Sequence, residues 1–141
     1  MATALRPIRL GLLDILLVLL LGALVMQFCV RNLGDSVPSS QTKVAQIYIF
    51  QLKGALELFR LEAGRYPNTQ EGLAALIRNP GTIEDWHGPY LATKEIPADP
   101  WGHPYIYRSP GKYGYYDLLT YGRDGREGGR GEDQDIMITN R

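Results

Sequence analysis

Residues 58–73 read LFRLEAGRYPNTQEGL, and a helix stop followed by a capped turn inside them sets the layout of the chain. Gly64 suits the C-terminal cap of a helix ending near Ala63, because glycine enters the left-handed region without a Cβ penalty. Pro67, three residues on, prevents the helix from continuing. Asn68-Thr69-Gln70-Glu71 then reads as a capping box, in which the Asn68 side chain accepts from first-turn amides and Glu71 reaches back. Upstream, Val44, Tyr48, Leu52, Ala55 and Phe59 recur at spacings of three and four, with Ala45, Ile49 and Leu56 widening the stripe. Residues 39–63 are therefore predicted to form an amphipathic helix with a broad buried face. Downstream, Leu73, Leu76 and Ile77 predict a second, short helix that Asn79-Pro80-Gly81 ends.

Beyond Pro97 the chain changes character. His103 to Arg108 and Tyr113 to Thr120 are rich in tyrosine and branched residues and flank the turn Ser109-Pro110-Gly111-Lys112, so they read as a hairpin. Ile136-Met137-Ile138-Thr139 adds a third short strand. The fold class is α+β: a long N-terminal helix, a short second helix and a small antiparallel three-stranded sheet, with a glycine- and charge-dense loop, Gly122 to Asp135, before the last strand.

At the other end lies the long apolar run, Leu10 to Val30. About 20 mostly apolar residues span a bilayer as a helix, and this run is long enough. Asp14 sits inside it. A carboxylate in the bilayer is costly, so it calls for a partner or stays hydrated near the interface. Arg6 and Arg9 precede the run with no acid among them, which places residues 1–9 as a cytoplasmic arm and the remainder on the outer side; Arg31 opposes this weakly. Cleavable secretory signals have a shorter apolar core and a small-residue site, and Gln27-Phe28-Cys29 does not supply one. Residues 10–30 are thus predicted to be a single-pass transmembrane helix and residues 31–141 a soluble domain, with Gly34 and Pro38 loosening the join.

The 141 residues, less the anchor and its arm, leave enough for one small domain. Lys and Arg total 15 against 15 Asp and Glu, so no net field recruits nucleic acid. Cys29 is the single cysteine and makes no intramolecular disulfide.

Enzyme motifs are scarce. There is no phosphate-cradling glycine loop with lysine, no G-x-S-x-G elbow and no H-E-x-x-H helix. Asp85 and Asp99, with His103, form a nominal acid–base set for a periplasmic hydrolase, yet each acid adjoins a turn where carboxylates cap backbone amides. The loop GRDGREGGRGEDQD offers Asp124, Glu127, Glu132, Asp133 and Asp135 to a calcium ion, which takes six to eight oxygens. From composition alone a solvated tail neutralised by Arg123, Arg126 and Arg130 is the favoured reading, since the spacing is not that of an EF-hand. Trp86, Tyr90, Trp101, Tyr105, Tyr107, Tyr113, Tyr115 and Tyr116 supply either cross-strand packing or a partner surface.

Taken in order, the anchor with an early acid, Leu58 to Pro67, Asn68-Thr69-Gln70-Glu71-Gly72-Leu73, Pro97-Ala98-Asp99-Pro100-Trp101-Gly102-His103-Pro104-Tyr105, Tyr116-Asp117-Leu118-Leu119 and Gly122-Arg123-Asp124-Gly125 through Asp135-Ile136 form a combination. It resembles the major, G-type pseudopilin of type II secretion systems (general secretion pathway protein G), a type IV pilin-like family. The resemblance is close over residues 40–140 and looser before. It implies a pilin-like, non-enzymatic subunit of a periplasmic filament, the pseudopilus, assembled from the bacterial inner membrane to help export folded proteins across the outer membrane. Implied partners are copies of itself, minor pseudopilins, the inner-membrane platform of the secretion system and a prepilin peptidase. The resemblance also makes calcium the leading expectation for the C-terminal loop, with Asp124, Asp133 and Asp135 as carboxylate ligands and the backbone carbonyls of Tyr121 and Arg126 as additions; residues 128–132 are an insertion relative to the family pattern.

At the N-terminus the chain departs from that pattern. Family precursors are cut after a glycine and the new amine is methylated; aligning Asp14 with the family glutamate puts Arg9 at the glycine and Leu10 after the cut. Asp14 is the implied assembly residue, because the family acid pairs with a neighbour's free amine, a charge-assisted contact in a low-dielectric setting. Arg9 is a poor substrate for the peptidase, so the alternative is an unprocessed anchor that caps or regulates the filament.

Overall fold

A computed structural model describes residues 11–33 and 38–140. The chain divides into two compact units, Met1–Val37 and Pro38–Arg141. Arg9 and Leu10 lie outside the described residues.

In the first unit, helix α1 runs Leu12–Leu33, 22 residues. At 1.5 Å per residue it is about 33 Å long, enough to cross a hydrocarbon core of about 30 Å. Large apolar residues are exposed all round it, from Leu12 and Leu13 through Leu16, Val18 and Leu20 to Met26 and Phe28. A helix apolar on every side needs lipid or protein around it. Asp14 stands in its first turn, where its carboxylate accepts from the amide of Gly11 at 3.0 Å, half of a capping box at the positive end of the helix dipole.

In the second unit, helix α2 spans Ser40–Ala63, within a residue of the sequence expectation. The Ser39 side chain accepts from the amide of Thr42 at 3.2 Å. Gly64 closes the other end at φ 72, a conformation costly for any residue with a Cβ. Ala45, Ile49, Leu52, Ala55, Leu56 and Phe59 are buried. Val44, expected on that face, is instead 53% exposed; it begins a different stripe, described below.

The capping box forms as read. The Asn68 side chain accepts from the amides of Gln70 and Glu71, each at 2.9 Å, and Glu71 takes the amide of Asn68 at 2.8 Å. The helix expected after it is a single 3₁₀ turn, Leu73–Leu76. Gly72, at φ 59 and ψ −167, separates cap from apolar residues and stops an α-helix from propagating between them.

The three strands are β1 (Ile106–Arg108), β2 (Tyr116–Thr120) and β3 (Ile136–Asn140). They form an antiparallel sheet in the order β1-β2-β3, with Tyr107 opposite Leu118 and Leu118 opposite Ile138. The first strand is shorter than His103–Arg108 because Asp99 holds the preceding segment in a turn. Its Oδ1 accepts from the amides of Trp101 at 3.0 Å and His103 at 2.8 Å. Leu118, Tyr116, Tyr107 and Tyr105 join α2 and the 3₁₀ turn in one core. Tyr107 donates to the carbonyl of Pro67 at 2.8 Å, and Thr69 and Ser109 exchange hydrogen bonds, which fastens the capped turn to the hairpin.

Candidate functional site

Two features stand out on the second unit: the outer face of α2 and the C-terminal loop.

Val44, Ile47, Phe50, Leu58 and Leu61 are 53%, 59%, 63%, 47% and 71% exposed. Their offsets of three, three, eight and three keep them on one side of a helix of 3.6 residues per turn. They are opposite the buried set that begins with Ala45 and Ile49. Gly54 sits in the middle of this stripe with nothing within 4 Å of where a Cβ would be, so a partner can approach the backbone closely. Large exposed apolar residues clustered on one face of a small domain mark a contact surface. Of these five, only Val44 belongs to the stripe read from the sequence, where it is assigned to the core face; Ile47, Phe50, Leu58 and Leu61 are not part of that stripe. The signal was present in the spacing of Ile47, Phe50, Leu58 and Leu61, which the buried series does not contain.

Beside it, Tyr66 donates to Glu57 at 3.0 Å, and the Asn140 amide donates to both. This ties β3 to α2. Burial, reinforced by the Glu57 carboxylate, holds the Tyr66 phenol above its ordinary pKa.

In the loop between β2 and β3, each of the three carboxylates that the resemblance implies as ligands has a partner within the loop. Asp124 accepts from the amide of Arg126 at 3.1 Å. Asp135 accepts from the amide of Gly128, both oxygens at 3.0 Å. Asp133 is taken by Arg123, Nε to Oδ1 at 2.9 Å and Nη2 to Oδ2 at 3.3 Å, while Nη1 holds Glu132 at 2.9 Å. The Asp133 carboxylate, with Glu132, accordingly raises the Arg123 pKa. Arg126 enters through its amide, and Tyr121 directly follows β2. Among the described residues no group of three His, Cys, Asp or Glu side chains is placed to hold a metal. As arranged, the carboxylates of Asp124, Asp133 and Asp135 are engaged separately and do not converge on one cation position.

The nominal hydrolase set is structural. Asp99 is 4% exposed, with one oxygen on two amides and the other taking the Thr120 hydroxyl. His103 Nδ1 donates to the carbonyl of Gly122 at 3.1 Å. Asp85 is in an exposed loop, and its carbonyl accepts from His87. Of the aromatic residues, Tyr105, Tyr107 and Tyr116 are core, whereas Tyr113 and Tyr115 are exposed.

The comparisons with known proteins bear on the whole domain. The family described as Type II secretion system (T2SS), protein G, matches residues 32–139. The chain belongs to this family. It is 37% identical to the type II secretion system core protein G of Vibrio cholerae over 128 residues, 89% of this chain and 86% of the relative. It is 35% identical to the core protein G of Pseudomonas aeruginosa over 129 residues, 89% of each. The crystal structure of the major pseudopilin from enterohaemorrhagic Escherichia coli superposes with a TM-score of 0.55 at 30% identity, over 70% of this chain and 85% of that one. The fold, an apolar N-terminal helix, a second helix and a three-stranded sheet, is that of a pseudopilin, and the chain is a structural pseudopilin subunit of type II secretion. Its α1 suits a single-pass anchor.

Proposed function

We propose that this pseudopilin polymerises with copies of itself into a periplasmic filament. It is held in the bacterial inner membrane by α1, with residues 1–9 cytoplasmic and the domain periplasmic. The observation that carries this reading is the second apolar face of α2. Fully burying a Leu, Ile or Phe side chain stabilises by roughly 1.5–3 kcal/mol, and five large apolar residues on one side of the helix stand 47–71% exposed. A face on one copy that meets a different surface on the next is a heterologous contact, and heterologous contacts that do not close generate helical filaments. The subunit's task is mechanical, with minor pseudopilins and the inner-membrane platform as further partners, and Asp99 and His103 have structural roles.

The test is charge insertion on that face. Leu58→Arg and Ile47→Arg leave the buried set untouched, so the melting midpoint stays within about 2 °C, as surface changes do. Homo-oligomers trapped by crosslinking in membranes, and secretion in cells dependent on this copy, are lost. Wild-type oligomers from both variants would refute the proposal.

A second reading, an unprocessed anchor that caps the filament, is favoured by Asp14 accepting a hydrogen bond from the Gly11 amide of its own chain. In it no neighbour's amine is needed. Intact mass of protein extracted from native membranes separates the two. Loss of residues 1–9, with or without an added methyl group, supports the assembling subunit, and a full-length mass supports the anchor.

A further inference from the structure

The C-terminal loop is shut at its neck by one residue. Arg123 donates its backbone amide to the carbonyl of Glu132 at 2.9 Å, and its guanidinium grips the side chains of Glu132 and Asp133 through three nitrogens, at 2.9–3.3 Å. Main chain and side chain of one residue thus bind the same dipeptide across the loop.

The backbone allows this because the two limbs touch. Gly122, at φ +71, leaves no room for a Cβ, which would lie 2.6 Å from the carbonyl oxygen of Glu132. Gly129, at φ +84, is likewise pressed against the backbone of Asp133. Past the neck, Gly128 and Asp135 exchange bonds, amide to carboxylate and amide to carbonyl. On the near side, His103 holds the carbonyl of Gly122.

We infer that Arg123 is the loop's resident cation: its guanidinium neutralises Glu132 and Asp133, so the loop closes and the domain is stable without a bound divalent ion. A planar fork grips two carboxylates at once in fixed geometry, which an ammonium point charge does not reproduce. A calcium ion reaching Asp133 has to displace Arg123 first.

The experiment follows the tryptophan fluorescence of the full chain in detergent during heating, with chelator and with added calcium, for the wild type, Arg123→Gln and Arg123→Lys. Calorimetric titration of calcium into the wild type accompanies it. The wild-type midpoint is expected to be the same with chelator and with calcium, and the titration to show no binding heat. Arg123→Gln is expected to melt several degrees lower in chelator, and Arg123→Lys, which keeps the charge without the fork, to fall between. A wild-type midpoint that calcium raises by several degrees would overturn the inference. So would saturable binding heat, or an Arg123→Gln midpoint equal to the wild type.

Discussion

Glu71→Gln is the perturbation whose size follows most directly from the structure. Both Glu71 oxygens are occupied: Arg65 takes one through Nη1 at 2.7 Å and the other through Nη2 at 2.8 Å. The Asn68 amide and the Thr82 hydroxyl complete the set at 2.8 and 2.6 Å. The Glu71 side chain is only 5% exposed. The Arg65 guanidinium first, then the Thr82 and Asn68 bonds, lower its pKa from 4.5 to about 2, against burial that works the other way. At 1.36 kcal/mol per pKa unit, that depression stabilises the fold by about 3 kcal/mol at most at pH 7.

A glutamine keeps one acceptor and loses the charge, so about 2 kcal/mol is lost, which lowers the midpoint of a domain of this size by roughly 10 °C. The sign with pH is fixed: the folded pKa lies below the unfolded one, so the stabilisation is complete above about 4.5 and fades as pH falls toward 2. The assay is thermal unfolding of wild type and variant by tryptophan fluorescence from pH 7 downward. The gap between the curves should be constant to about pH 5 and close below it. An equal gap at pH 7 and pH 2.5 would show that shape, not charge, sets the loss, and no gap at pH 7 would refute the reasoning outright.

Phe59→Ala removes the largest α2 side chain from a fully buried position and should cost about 3–5 kcal/mol, read as a lower denaturant midpoint. Asp99→Ala leaves the amides of Trp101 and His103 and the buried Thr120 hydroxyl without their acceptor. Its expected cost is about 1–3 kcal/mol for each buried group left unpaired, by the same measurement, and Asp99→Asn should recover part of it. Leu118→Ala, in the middle strand with no exposure, should cost about 2–5 kcal/mol. Phe50→Ser, by contrast, removes an exposed apolar ring; its midpoint should move by no more than about 2 °C while crosslinked oligomers diminish.

The parts legible in the sequence were those fixed by neighbours in the chain. Gly64, Pro67 and the Asn68–Glu71 box declare themselves within a few residues, and the cap and the box form the hydrogen bonds expected of them. The hairpin and third strand followed from runs rich in tyrosine and branched residues between clear turns. What escaped depends on contacts that spacing does not encode. Gly72 was visible, but only its positive φ turns the following helix into one 3₁₀ turn. Val44 fits the period of the core face and lies outside it, because the helix carries two apolar faces and a single periodicity does not separate them. In the loop, the acids implied as ligands are adjacent to arginines, and which cation an acid meets is decided in three dimensions: Asp133 meets Arg123.

The central claim is that copies of this chain cover the outer face of α2. The most direct measurement places a photo-crosslinking residue at Ile47, and separately at Leu61, of the full chain in native membranes. The account predicts a regular ladder of homo-oligomers from both positions, and none from a probe at exposed Lys94, in the loop beside Ile77. Monomer alone from Ile47 and Leu61, or adducts only with other proteins, would contradict it.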